Sequence, residues 1–137
     1  MIVHTLALFA LATLFGGMVL YSFGFAPLVF TKLPMSQAST LLREAFPLYY
    51  LFVIGVAIVA TLALLGVDTL SAWLLGIVVV LGVAARQLLM PAINRASDAR
   101  AAGDARAKGR FARLHGLSVV INFVQLAGIA TALFRIA

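Results

Sequence analysis

The chain has 137 residues, of which 64% are apolar and 10% charged, against about 45–50% and 25% in an ordinary soluble domain. A fold this small buries only about 60–70% of the surface its unfolded chain exposes, so a water-soluble protein is excluded and the surplus apolar surface must face lipid. Ten Lys and Arg against four Asp and Glu give a formal charge of +6. The basic residues gather beside apolar runs, which points to anionic lipid headgroups and not to nucleic acid. With no cysteine in the chain, disulfide frameworks, thiolate zinc sites and iron–sulfur clusters are excluded.

A hydrocarbon core takes roughly 20 apolar residues of helix, and four such runs occur, at about 5–30, 48–66, 70–90 and 114–134. The prediction is an all-α fold, one domain over 1–137: a four-helix transmembrane bundle with a short amphipathic helix between spans one and two. Span one is longer than a perpendicular crossing needs, and Pro27 is expected to kink or stop it. With no basic segment ahead of it, it reads as an uncleaved span. Between Pro34 and Pro47, Ser36 is placed to cap a helix in which Ala38, Leu41, Leu42 and Ala45 form one face and Gln37, Thr40, Arg43 and Glu44 the other, a pattern suited to the membrane surface. Tyr49 and Tyr50 open span two and Trp73 opens span three, as interfacial aromatics do.

The segment 95–113 carries Arg95, Arg100, Arg106, Lys108, Arg110 and Arg113 and is the expected contact for anionic headgroups. Lys32 and Arg43 lie between spans one and two, whereas the loop between spans two and three has only Asp68, and Arg135 follows span four. This asymmetry puts the first and third loops in the cytoplasm and both termini on the outer side of an inner (plasma) membrane.

Span four holds the most informative pattern. His115, Ser118, Asn122 and Gln125 are spaced by three, four and three, which at about 100° per residue gathers them on one stripe. Polar groups facing lipid are costly, so the stripe is expected to face the bundle, as interhelical glue or as the wall of a polar cavity. Thr13, Gly16, Gly17 and Gly24 give span one a small-residue face, expected to pack against that stripe. Ser22 projects to the opposite face. Arg86 is the one charge inside a span, either snorkelling to the inner headgroups or paired with Glu44.

Catalytic residues are not apparent: there is no close carboxylate pair, and Ser118 near His115 lacks an acid to orient the base. No metal site and no cofactor are predicted. Haem stays open only through a single histidine or His115 with Met90, because His4 and His115 are expected at opposite faces of the bilayer.

Gly16-Gly17-Met18, Ala26-Pro27, Phe46-Pro47-Leu48-Tyr49-Tyr50 and the stretch from Phe111 through Leu114-His115, Ser118 and Asn122 together make the chain resemble the transmembrane-protein-205-like family. The resemblance implies a four-span bundle of unestablished activity. The leading functional expectation is a small-solute or ion transporter or channel-like component, homo-oligomeric, with His115, Ser118, Asn122, Gln125 and Arg86 lining a polar cavity. A non-transporting membrane scaffold is the alternative, and a haem-binding redox protein the third reading.

Overall fold

Nearly all of each apolar run becomes part of one long helix. In the computed structural model, which describes all 137 residues, α1 spans Ile2–Lys32, α2 Met35–Leu64, α3 Thr69–Ala101 and α4 Ala105–Ile136. No strand is present. At 30 to 33 residues and 1.5 Å per residue, each helix is about 45–50 Å long, more than a hydrocarbon core of about 30 Å requires. The surplus of α2, α3 and α4 lies at one end, where the sequence is basic.

The connections are short and force an up-down-up-down bundle, with α1 beside α2, α2 beside α3, α3 beside α4 and α4 back on α1. Gly103 turns α3 into α4 with φ of 95°, a left-handed conformation that costs any side-chain-bearing residue. Asp104 and Asp68 then cap α4 and α3, accepting from the backbone N–H of Arg106 and Ser71.

The seam of the bundle is apolar. Ala7, Leu11, Leu14 and Met18 of α1 meet Val53, Ala57 and Leu64 of α2, Leu75 and Val78 of α3, and Ile129 and Ala132 of α4, all buried. Phe9, Leu20, Leu62, Trp73, Val80 and Val120 are more than half exposed, as befits a surface covered by lipid. This is the architecture of a multi-pass membrane protein.

Three expectations change. The segment 35–47 is helical but runs without a break into the second span. Pro34, not Ser36, stands at its N-cap, and Ala38 and Leu42 bury against Val29 of α1 instead of lying on the membrane. Pro27 does not stop α1: the helix continues to Lys32 after a wide π turn over Leu20–Phe25. The small-residue face does not pack on α4. Gly17 alone abuts a neighbouring helix, with Phe52 of α2 so close that a Cβ would lie 2.6 Å from its ring, while Gly16 has open space and Gly24 meets only Leu20 of its own helix. Thr13 is exposed. The apolar line Ala7–Leu11–Leu14–Met18 takes the inward face and turns these residues away.

Candidate functional site: a cavity between the first, second and fourth helices

A proline has no N–H to give the carbonyl four residues back, and its ring crowds that carbonyl. Ahead of Pro27 the helix relieves this by widening, so that the Ala26 N–H reaches back five residues to the Tyr21 carbonyl. Tyr21 and Ser22, three and four residues beyond Met18 on the buried line of α1, stand side by side on the inner surface at the start of this turn. Ser22, expected on the face opposite the small residues, lies inward because the inward face of α1 is the apolar line ending at Met18 and not the small-residue face.

Three helices meet there through one amide. The Tyr49 hydroxyl of α2 donates to Asn122 Oδ1 of α4 at 2.6 Å, and Asn122 Nδ2 donates to Ser22 Oγ of α1 at 3.0 Å. The Tyr21 ring stacks on Tyr49 with centroids 4.1 Å apart and planes 16° from parallel. Tyr50 meets Tyr49 edge-on and Phe46 lies beside Tyr50. Tyr49 and Tyr50 are thus buried in the bundle, not anchored at the interface as their position at the start of the second apolar run suggested. The Tyr21 hydroxyl is buried without a hydrogen-bond partner.

These groups form one wall of a cavity of about 460 Å³, completed by Ala26, Pro27 and Phe30 of α1 and His115, Ser118 and Val119 of α4. The first part of α1 packs on α4, and the two helices separate after the π turn. The cleft faces sideways. Its lip is formed by Phe23 and Phe123, with ring centroids 5.8 Å apart and exposures of 55% and 52%, and by the exposed Phe30 and Val119.

The polar stripe of α4 divides. His115, Ser118 and Asn122 line the cavity, but Gln125 does not. Gln125 is fully buried against α3, donating through Nε2 to the Val78 carbonyl at 3.0 Å, with its Oε1 unpartnered. The Ser118 hydroxyl donates to the His115 carbonyl, and the exposed His115 ring lies parallel to Phe111.

Arg86 is also outside the cavity. It sits in a second π turn, Ala85–Leu89, which precedes Pro91 as the first precedes Pro27. Its Nε is 3.4 Å from the Pro47 carbonyl, and no ion pair joins it to Glu44. Glu44 lies on the exposed strip of α2 with Gln37 and Thr40. The residue of α2 that faces α3 is Arg43, which pairs with Asp98 at 2.7 Å.

At the opposite end of the bundle, His4 Nε2 lies 2.8 Å from the Ile136 carbonyl, so His4 and His115 are separated by about 30 Å of α4 at 1.5 Å per residue. One haem cannot use both. Asp68 takes a two-pronged contact from Arg135, 2.8 Å to Nε and 3.1 Å to Nη2, and accepts from the Ser71 hydroxyl. The Arg135 guanidinium, helped by Ser71, holds the Asp68 carboxyl well below the usual carboxylate range.

Tyr21 is the site residue that the sequence pattern does not name, Ser22 is expected from it on the opposite face, and Tyr49 at the interface. The available signal for the first two is a polar pair in an apolar run, six and five residues ahead of Pro27. A family model described as a domain of unknown function (DUF4149) matches residues 9–102, which takes in these three but ends ahead of α4. No curated protein and no solved structure matches the chain.

Proposed function

The chain belongs to the family described as a domain of unknown function (DUF4149), and from the cavity its helices enclose we propose that it is a membrane-embedded binding or carrier protein. Its ligand is a small lipophilic molecule with a hydrogen-bonding group, admitted from the bilayer between α1 and α4. The observation that carries this reading is the cavity itself, walled by aromatic rings with the polar side chains of Ser22, Ser118 and Asn122 among its lining. The volume of about 460 Å³ falls in the range of small-molecule sites, about 300–1,000 Å³.

Among transport readings, the cavity favours a carrier over a channel. Leu11, Leu14, Leu64, Leu75 and Ile129 are fully buried and fill the bundle beyond the cavity, so a water path through one chain would have to breach that layer. The motifs behind the resemblance to the transmembrane-protein-205-like family include Phe46, Tyr49, Tyr50, His115, Ser118 and Asn122, all of which line the cavity. In this reading the basic helix ends face the cytoplasm, as the Lys and Arg distribution requires. A scaffold is the second reading, favoured by Asn122 spending both ends of its amide on neighbouring helices.

Nile red, a neutral dye with a carbonyl acceptor, provides the test. Saturable one-to-one fluorescence enhancement is expected with purified protein, and Ala26→Trp, which fills the cavity, should abolish it without lowering the melting temperature by more than a few degrees. Equal dye binding by wild type and a folded Ala26→Trp variant would rule out this cavity as the site.

A further inference from the structure

A second cavity, about 220 Å³, adjoins the first at the basic end of the bundle, and the two share Phe30, Phe46, His115 and Ser118 as walls. Its own walls come from the projecting parts of three helices, with Arg43 from α2, Asn94, Ser97 and Arg100 from α3, and Phe111 from α4. No carboxylate lines it. Asp98, the acid closest to it in sequence, is taken by Arg43.

Arg100 is placed differently from Arg43. Its guanidinium carbon lies 4.3 Å from the centroid of the Phe111 ring, a cation–π contact that fixes the planar group while leaving its N–H edge undirected. Neither ion pair of the molecule involves Arg100. A held guanidinium with unspent donors at an apolar cavity is suited to an oxyanion, which it can bind through two parallel hydrogen bonds. The adjoining cavity is aromatic, opens sideways at Phe23 and Phe123, and has no Lys, Arg, Asp or Glu in its lining. The pair of cavities therefore sets a cationic head compartment beside an apolar tail compartment, with Phe30, Phe46, His115 and Ser118 common to both walls.

We infer that the ligand is an anionic membrane lipid, its phosphate held at Arg100 in the smaller cavity and one chain laid through the larger one. This deepens the binding reading above and rests on it for the chain, but the headgroup compartment has its own test. Charge complementarity selects the lipid over a neutral occupant. The lateral cleft selects it over a free anion, which would need no apolar compartment.

The full-length protein, purified in neutral detergent, would be examined by native mass spectrometry with phosphatidylglycerol, with phosphatidylcholine of the same chains, and with inorganic phosphate. Wild type is expected to retain phosphatidylglycerol at least tenfold better than phosphatidylcholine. Arg100→Gln should erase that preference while Nile red binding persists, Arg100→Lys should keep part of it, and Arg106→Gln, which changes a basic residue outside the cavity, should keep all of it. Equal retention of the two lipids by wild type overturns the headgroup inference and leaves the dye-binding cavity standing. The headgroup inference is equally overturned by equal losses in Arg100→Gln and Arg106→Gln, or by inorganic phosphate displacing the lipid completely. A wild type that holds phosphatidylglycerol but no dye overturns the cavity reading and with it the placement of the chain.

Discussion

Replacing Asn122 with Ala removes the one side chain that ties α1, α2 and α4 together. Two hydrogen bonds disappear, Tyr49 Oη to Asn122 Oδ1 at 2.6 Å and Asn122 Nδ2 to Ser22 Oγ at 3.0 Å. In membrane bundles such bonds average only about 0.6 kcal/mol each, which together accounts for about 1 kcal/mol. The larger loss is the Tyr49 hydroxyl, left in a residue only 7% exposed and costing about 1–3 kcal/mol when stranded. The expected destabilisation is about 2–4 kcal/mol. A second substitution separates the two contributions: Tyr49→Phe alone loses one bond and should cost about 1 kcal/mol, but added to Asn122→Ala it removes the stranded group and should restore about 1–2 kcal/mol. Reversible unfolding in mixed micelles, followed by circular dichroism for the four proteins, gives the cycle. If Tyr49→Phe destabilises the Asn122→Ala background further, the amide is not the partner the Tyr49 hydroxyl depends on, and the picture of one amide joining three helices fails.

Gly17→Ala should destabilise by about 1–3 kcal/mol through overpacking, because its Cβ would lie 2.6 Å from the Phe52 ring; Gly16→Ala, with open space around it, should be neutral or stabilise by up to about 1 kcal/mol, and equal effects in thermal melts would refute the contact. For Asp68 the folded value is depressed, so the stabilisation it brings is complete above the unfolded carboxylate value of about 3.9 and is lost as pH falls from there through the folded value. The melting temperature attributable to this contact should therefore be level from about pH 5 to 8 and decline only below about pH 4. Asp68→Asn should start lower and show a shallower acid decline, so that its curve and that of the wild type converge; parallel curves would dissociate the contact from acid stability.

The sequence made the bundle legible because lipid imposes a single rule along a whole helix. Runs of apolar residues with charge only at their ends admit little besides spanning helices, and the inward position of Asn122 followed from the cost of turning an amide to hydrocarbon. The same rule does not distinguish among neighbours. Gln125 obeys it as well as Asn122 does, yet one joins the cavity wall and the other is sealed against Val78, because the choice depends on which helix lies opposite at each level. Arg86 and Glu44 were paired by elimination among the charges at one end, but the face of α2 that meets α3 presents Arg43, so Asp98 takes that residue.

The misplacement of Ser22 has its origin in the choice of reference face: Ser22 stands opposite Thr13, Gly17 and Gly24 but four residues beyond Met18 on the line that is buried. Proline has a separate effect, widening the turn ahead of it. Both π turns stand directly ahead of an Ala-Pro or Met-Pro pair, Leu20–Phe25 before Ala26-Pro27 and Ala85–Leu89 before Met90-Pro91, and each advances the helix by one residue relative to an ideal α-helix. At the first, α1 parts from α4, which leaves the lateral opening beside the inward Tyr21 and Ser22. A helix with Pro27 replaced by Ala has no missing N–H to accommodate and is free to regain regular α-helical bonding, which would turn the segment after Ser22 and alter the cleft. The lateral opening is therefore tied to backbone chemistry at one proline, whereas the polar lining follows from the inward line that passes from Met18 to Tyr21 and Ser22.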